Sequence, residues 1–289
     1  MGAAMASRLI GSGADVAVWN RTASKADPLV DLGASRLENV RAAAGRETAF
    51  SMVLDDRALD QVAAELLPAA TAEGGRLRVW IDGSTVSTGA AERAAAAAAA
   101  AGVAYVSAPI SGNPGVVESG RAIFAISGDE RGLDVAEAIG LAIGRAVYRV
   151  GDSTQANVVK LATNALLAVT MQSLAEIAVL ADAAGVRRGD LMQFVNDSAI
   201  GSPFTAYKTE AITSLEFPPA FTPSGQRKDI RLAIDLGYEL EVPMPVLSTT
   251  EVAYSRLVSG GLGEGRDFAA LLLEVARDAG RELQPEAAR

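Results

Sequence analysis

The chain has 289 residues, 26 Lys and Arg against 35 Asp and Glu for a net charge of −9, and neither cysteine nor histidine. Disulfides, thiolate nucleophiles, imidazole acid–base groups, Ser-His-Asp triads and the usual zinc ligand sets are therefore excluded, and no metal site is expected. Without histidine, proton transfer falls to Lys, Tyr, Asp, Glu or water, and the acidic balance argues against a nucleic-acid surface, which needs clustered Lys and Arg.

At ~150 residues per domain the length suggests two domains, and 49% hydrophobic with 21% charged residues is ordinary for a globular protein. Met1 to Gly13 lacks a basic region followed by an apolar run and cleavage site. The most apolar stretch, Val158 to Leu180, carries Lys160, Asn164, Gln172 and Glu176, too many polar groups for a membrane span. A cytoplasmic protein is expected.

In chain order, a helix follows Gly2, and Val16-Ala17-Val18-Trp19 is a short strand after the Gly11/Gly13 turn. Ala49 to Leu54 is a second strand, after which Asp55 and Asp56 cap a helix over 57–67. Strands follow at 78–82, 103–106, 123–126 and 146–150, and the eight alanines from Ala94 to Ala101 fill a surface helix ended by Gly102. Strands alternating with helices of this length predict βαβ units and a largely parallel, doubly wound sheet. From about residue 152 the pattern turns all-helical, opening with one helix over 156–184 that Gly185 stops. Further helices are predicted near 189–197, 203–214, 226–237, 245–260 and 266–280, with residues 284–289 fraying. The expected domains are 1–151, an α/β dinucleotide-binding unit, and 152–289, a helical unit, joined by the long helix.

Five segments can carry chemistry, and each has a plainer structural reading. Asn20-Arg21-Thr22 lies where an acid would bind the ribose hydroxyls of NAD; an amide, a guanidinium and a hydroxyl suit a 2′-phosphate better, though spacing alone fits a solvated turn equally well. Asp82-Gly83-Ser84-Thr85 ends a strand, and alone it reads best as a helix N-cap by Ser84, Thr85 or Ser87. Ala108 to Gly115 can offer backbone N–H groups and Ser111 to an anion, or can be a simple Pro/Gly turn. Lys160 and Asn164 share one helix face at i,i+4 spacing, as an acid–base pair or as a snorkelling lysine with a neighbour. Lys228-Asp229 reads alone as an exposed ion pair of small value.

Together and in this order, Met1 to Ala6, Asn20-Arg21-Thr22, Asp82-Gly83-Ser84-Thr85, Ala108-Pro109-Ile110-Ser111-Gly112, Lys160 with Asn164, and Lys228-Asp229 resemble the β-hydroxyacid dehydrogenase family, 3-hydroxyisobutyrate dehydrogenase type, over essentially the whole chain. The resemblance implies a Rossmann-type domain, a helical C-terminal domain like that of 6-phosphogluconate dehydrogenase, and reversible hydride transfer between NAD(P) and a small 3-hydroxy acid or semialdehyde. It makes Lys160 the catalytic acid–base, with Asn164 holding the substrate oxygen or orienting Lys160. Ser111, Gly112 and Asn113 match the substrate-carboxylate loop, and Met1, Gly2, Leu54, Thr85 and Lys228 match cofactor contacts. Asn20, Arg21 and Thr22 resemble the NADP-preferring members, with NAD as the other candidate.

Three departures accompany the match. Only the last glycine of G-x-G-x-x-G is present, as Gly2, so the family's opening strand and first two glycines are expected upstream of Met1, and without them a slot is expected in the sheet. Asn113 stands where the family often has glycine, and Gly151 to Ala156 departs from the usual glycine-rich turn before the lysine. Imine reductases share the architecture but usually place Asp or Tyr at the position of Lys160. A catalytically silent cofactor-binding or scaffold protein is the alternative from another class. Apolar stripes such as Leu271-Leu272-Leu273 with Val275 are expected to be exposed and covered in a homodimer, with a tetramer also open.

Overall fold

The computed structural model describes residues 1–286. It divides into two compact units, Met1–Leu161 and Ala162–Arg289. The first contains α1 (Gly2–Gly11), β1 (Ala17–Val18), α2 (Asp27–Asp31), β2 (Ser35–Arg36), β3 (Thr48–Ser51), α3 (Asp56–Thr71), β4 (Val79–Asp82) and α4 (Thr88–Ala100). It continues through β5 (Ala104–Ser107), β6 (Ile110–Ser111), α5 (Pro114–Glu118), β7 (Ile123–Gly128), α6 (Glu130–Ile143) and β8 (Ala146–Gly151) into α7 (Gln155–Ala183), a 29-residue helix in which the division between the units falls.

The sheet is in two parts. β1 and β2 form a parallel pair, and β3, β4, β5, β7 and β6 follow one another in a six-stranded sheet with β8 on β7. No ladder joins β1 to β3 among the described residues, which is where the expected slot falls. β3–β4, β4–β5 and β7–β8 are parallel, whereas β7 runs antiparallel to β5 and β6. The sheet is thus largely parallel, as expected, with one antiparallel stretch where β7 meets β5 and β6.

The reason lies at Pro109. The register on β7 runs unshifted from Ser107↔Ser127 to Ile110↔Phe124 and Ser111↔Ile123, so β5 and β6 are one extended course, interrupted where proline lacks an N–H for the ladder. The stretch 108–115, readable as a plain turn, is therefore a strand extension leading into α5.

Both faces of the sheet are covered, as the alternation along β4 requires. Val79 and Ile81 pack with Met5 of α1 and Leu133 and Ala136 of α6. Trp80 packs on the other face with Leu59 of α3 and Ala90, Ala94 and Ala98 of α4. The alanine run is thus half core: its small side chains let α4 lie close, and Ser87 caps it through the Ala90 N–H. Asp55 caps α3 as expected, accepting from Ala58 N–H at 2.9 Å. α3 does not stop before Pro68 but runs to Thr71, whose hydroxyl donates to the Pro68 carbonyl.

The second unit is helical: the rest of α7, then α8 (Arg188–Asp197), α9 (Pro203–Ser214), α10 (Pro223–Glu239), α11 (Pro245–Ser259) and α12 (Leu271–Asp278). A 3-10 turn, Phe268–Ala270, precedes α12, so the helix expected over 266–280 is two shorter pieces. Leu271 and Leu272 are fully buried and Leu273 and Val275 half-buried, so the stripe expected to seek a partner belongs to this unit's own core.

Nor does the segment from residue 284 fray at its start. The buried Arg188 guanidinium donates to the Gln284 carbonyl at 2.6 Å, and the Glu286 carboxylate accepts from the N–H groups of Arg188 and Gly189 at the start of α8. Residues 287–289 of that expected fray lie outside the described residues. By length and composition α7 could cross a membrane, but Leu161, Ala168, Met171, Ala175 and Ala178 along it are buried.

Candidate active site

Parallel strands ending beside helix starts put backbone N–H groups and loop side chains on one edge of a sheet, the edge where open α/β sheets bind ligands. In the first unit most of the singled-out residues lie there. Asn20, Arg21 and Thr22 follow β1; Arg21 and Thr22 are exposed, and the Asn20 amide donates to the Thr22 carbonyl at 2.9 Å. Asn20 also lines a pocket with Val18, Trp19, Ala23, Arg36 and Glu38 at the ends of β1 and β2. The guanidinium of Arg36 is engaged by Asp27 and the Ala23 carbonyl, whereas Arg21 and Lys25 are exposed cations following β1.

Met1 is half-buried at the start of α1. Gly2 faces Met52 in the turn after β3, where an added Cβ would lie 3.7 Å from the Met52 Cβ. In that same turn Leu54 is 73% exposed. Thr85, in the turn after β4, is half-buried.

Beneath these two turns lies a polar cluster. The Asp82 carboxylate, wholly buried, accepts through Oδ1 from the hydroxyls of Ser51 at 2.5 Å and Ser84 at 2.8 Å. Ser84 therefore serves Asp82 and Val53 N–H rather than a helix, and the cap of α4 is Ser87.

Ser111 ends β6, half-buried. Gly112 sits at φ +142 with no room for a Cβ, which would lie 2.8 Å from Val116 Cγ1, so only glycine fits there. Asn113 turns its amide oxygen onto Val116 N–H at 3.0 Å as the cap of α5.

On α7, Lys160 is half-buried, between the buried Asn157 and Asn164 that share its face. The Asn164 side-chain amide donates to Asp229 Oδ2 at 2.6 Å, and Gln226 donates to the Asn164 backbone carbonyl at 3.0 Å. Lys228 pairs with Asp229 Oδ1 at 2.8 Å. The reading of Lys228-Asp229 as an exposed pair is overturned: Asp229 is 1% exposed and is the residue that fixes the plane of the Asn164 amide. Asp82 and Asp229 lie in segments that the sequence singles out but to which it gives no role of their own, and Asn157 was passed over. For Asp229 a signal was present, because Pro223, Gln226, Asp229, Ile230 and Ala233 form the buried face of α10 at helical spacing. Among the described residues, no group of three or more acids is placed to hold a metal ion.

Comparison with known proteins gives two family matches. The model for the NAD binding domain of 6-phosphogluconate dehydrogenase matches residues 1–151, and that for the NAD-binding of NADP-dependent 3-hydroxyisobutyrate dehydrogenase matches residues 154–275. Glyoxylate/succinic semialdehyde reductase 2, chloroplastic, of Arabidopsis thaliana is 30% identical over 289 residues, covering 98% of this chain and 78% of its own. Glyoxylate/succinic semialdehyde reductase 1 of the same plant is 30% identical over 95% of both chains. A structure of Mycobacterium tuberculosis 3-hydroxyisobutyrate dehydrogenase with L-serine shares the fold, with a TM-score of 0.82 at 22% identity over 94% of each chain.

Proposed function

Because the chain belongs to the β-hydroxyacid dehydrogenase family, we propose that it transfers hydride reversibly between NADP(H) and a small 3-hydroxy acid or semialdehyde. The arrangement on α7 carries this reading: Lys160 and Asn164 stand one turn apart, and Asn164 is held by a buried 2.6 Å bond to Asp229. An asparagine so fixed turns its carbonyl oxygen away from Asp229 in one direction only, as a substrate-orienting group requires.

The residues fit a nicotinamide dinucleotide. The pocket after β1 and β2, the exposed Arg21, the start of α1 and the exposed Leu54 lie along the edge that would hold it. When bound, the dinucleotide supplies or accepts the hydride. In reduction the Lys160 ammonium gives its proton to the carbonyl oxygen as the carbon gains hydride, and in oxidation the neutral amine takes the hydroxyl proton. Asn164 positions that oxygen. Ser111 and the backbone at Gly112 bind the substrate carboxylate, while the Asn113 amide, engaged as a cap, keeps the loop in shape. Arg21, with Asn20 and Thr22, contacts the 2′-phosphate, and Lys228 adds a cation for the cofactor.

Succinic semialdehyde and glyoxylate, named for the two plant relatives, are the first substrates to try. A homodimer is the assembly we propose, covering exposed apolar side chains of the helical unit such as Phe194, Ile200, Tyr238 and Val246. The test follows NADPH oxidation with a panel of small aldehyde acids. Lys160→Ala is expected to lower kcat by ~100- to 10,000-fold with NADPH binding retained, the range for loss of a general acid. A variant turning over at near-parent rate refutes the role of Lys160.

A further inference from the structure

A carboxylate lies buried beneath the two turns at the ligand edge of the first unit, and nothing in the hydride-transfer scheme uses it. Asp82 ends β4 in register with Ser51 of β3 and Ser107 of β5. It is wholly buried, and among the described residues its Oδ2 has no hydrogen-bond partner and no cation pairs with it. An unpaired buried charge opposes folding, and an amide or hydroxyl of similar size would stabilise the same spot better.

What the carboxylate does is visible in its bonds. Both hydroxyls it accepts from are themselves held by an N–H: Trp80 Nε1 donates to Ser51 at 2.9 Å, and Val53 N–H donates to Ser84 at 2.8 Å. Asp82 thereby ties the turn after β3, through Val53, to the turn after β4, through Ser84. A second carboxylate closes the same two turns further out, where Asp56 accepts from the Ser87 N–H at 2.9 Å and hydroxyl at 2.6 Å. Gly83 between them leaves no space for adjustment, since a Cβ there would come within 2.8 Å of the Phe50 ring. Leu54 and Thr85 are carried by the turns so joined.

We propose that Asp82 is a positioning residue for the dinucleotide: through Ser51 and Ser84 it holds the turns after β3 and β4 in the geometry in which Leu54 and Thr85 meet the cofactor. This rests on the reading that the chain binds a nicotinamide dinucleotide. An ionised acceptor holds two hydroxyls on one oxygen about twice as strongly as a neutral one, which is why an acid outperforms an amide here despite its cost.

Burial pushes the Asp82 carboxyl up to about 6, against the pull of its bonds to Ser51 and Ser84. The groups facing it are Ser51 of β3, Ser84 of its own turn and Tyr105 of β5, whose own proton affinity is raised by burial and then by the Asp82 charge. α3, α4 and α6 meet these strands with apolar side chains such as Leu59, Ala90 and Leu133, and none supplies a charge to it.

NADPH fluorescence titration and thermal unfolding test the proposal without recourse to turnover. At pH 8, Asp82→Ala and Ser84→Ala are expected to weaken NADPH by ~10-fold or more, and Asp82→Asn by ~3- to 10-fold while its Tm rises. Near pH 5 the parent carboxyl is neutral, and parent and Asp82→Asn converge within about twofold. Affinity and stability moving in opposite directions is a result that a residue serving the fold alone cannot give. Should Asp82→Ala fail to fold, Asp82→Asn and Ser84→Ala carry the comparison. Parent-like affinity in Asp82→Asn at pH 8, or affinity and Tm falling together, overturns the proposal. If the parent chain binds no NADPH, the dinucleotide reading itself fails; if the parent and Lys160→Ala bind it and the Asp82 variants bind equally well, only the role of Asp82 falls.

Discussion

The bond between Asn164 and Asp229 offers the sharpest test of how the substrate is oriented. The donor is an amide that is 5% exposed and the acceptor a carboxylate that is 1% exposed, 2.6 Å apart. Hydrogen bonds to charged groups contribute about 1.5–3 kcal/mol, and one this short and this buried belongs in the upper part of that range. Asp229→Ala leaves the Asn164 N–H without that acceptor in a place water does not reach, and removes the ion pair to Lys228. At ~1.4 kcal/mol per decade, kcat/KM for semialdehyde reduction should fall about 10- to 150-fold. Asp229→Asn keeps the shape and still presents an oxygen to Asn164 at the ~0.5–1.5 kcal/mol of a neutral pair, so about 1–1.5 kcal/mol of the bond is lost and kcat/KM should fall about 5- to 12-fold. The assay is steady-state reduction at saturating NADPH, with circular dichroism to verify folding. A folded Asp229→Ala enzyme within threefold of the parent refutes the argument, and so does an Asp229→Asn enzyme slower than Asp229→Ala.

Two further outcomes follow from charge. Arg21→Ala should weaken NADPH by ~10-fold or more while leaving NADH within about twofold, and the difference should shrink as salt rises, because Arg21 is exposed; equal losses for both cofactors defeat the 2′-phosphate assignment. The Asp82 carboxyl, raised from 3.8 to about 6 in the folded chain, binds its proton more tightly there than when unfolded. It therefore costs nothing at pH values below about 4, and its penalty grows as pH rises through 6, to roughly 3 kcal/mol at pH 8. Asp82→Asn should recover that amount in denaturant unfolding at pH 8 and nothing near pH 4; an equal gain at both pH values contradicts the assignment.

The helical half was legible because its caps and breaks are written locally. Pro203 after Ser202 and Pro245 after Met244 open helices where expected, and α9 closes at Ser214 as its pattern indicated. The strands β3, β4, β5, β7 and β8 were legible from apolar runs between glycines. β2 was not, since its Ser35 and Arg36 are both exposed and carry no alternation. Pro68 misled because a proline in the last turn of a helix costs one bond that the chain has nearly finished with. The antiparallel course of β5–β6 on β7 could not be read, because Pro109 argues against a strand and only the ladder on β7 overrules it. The anchoring of Glu286 to Arg188 spans 98 residues and leaves no local mark. At the site, the residue types were readable but their burial was not: adjacent Lys228 and Asp229 look alike in sequence, and only the phase of α10 separates an outward cation from an inward acid.

The course of β5 through Pro109 into β6 bears on selectivity. Ser111 is laddered to Ile123, Gly112 is wedged against Val116, and Asn113 is spent on a helix cap. A receptor segment stitched down at three successive positions cannot reshape itself around its guest. Under the proposed carboxylate-binding role it would offer each acid the same fixed grip with little ordering entropy lost on capture, which moves discrimination among acids to the far end of the molecule.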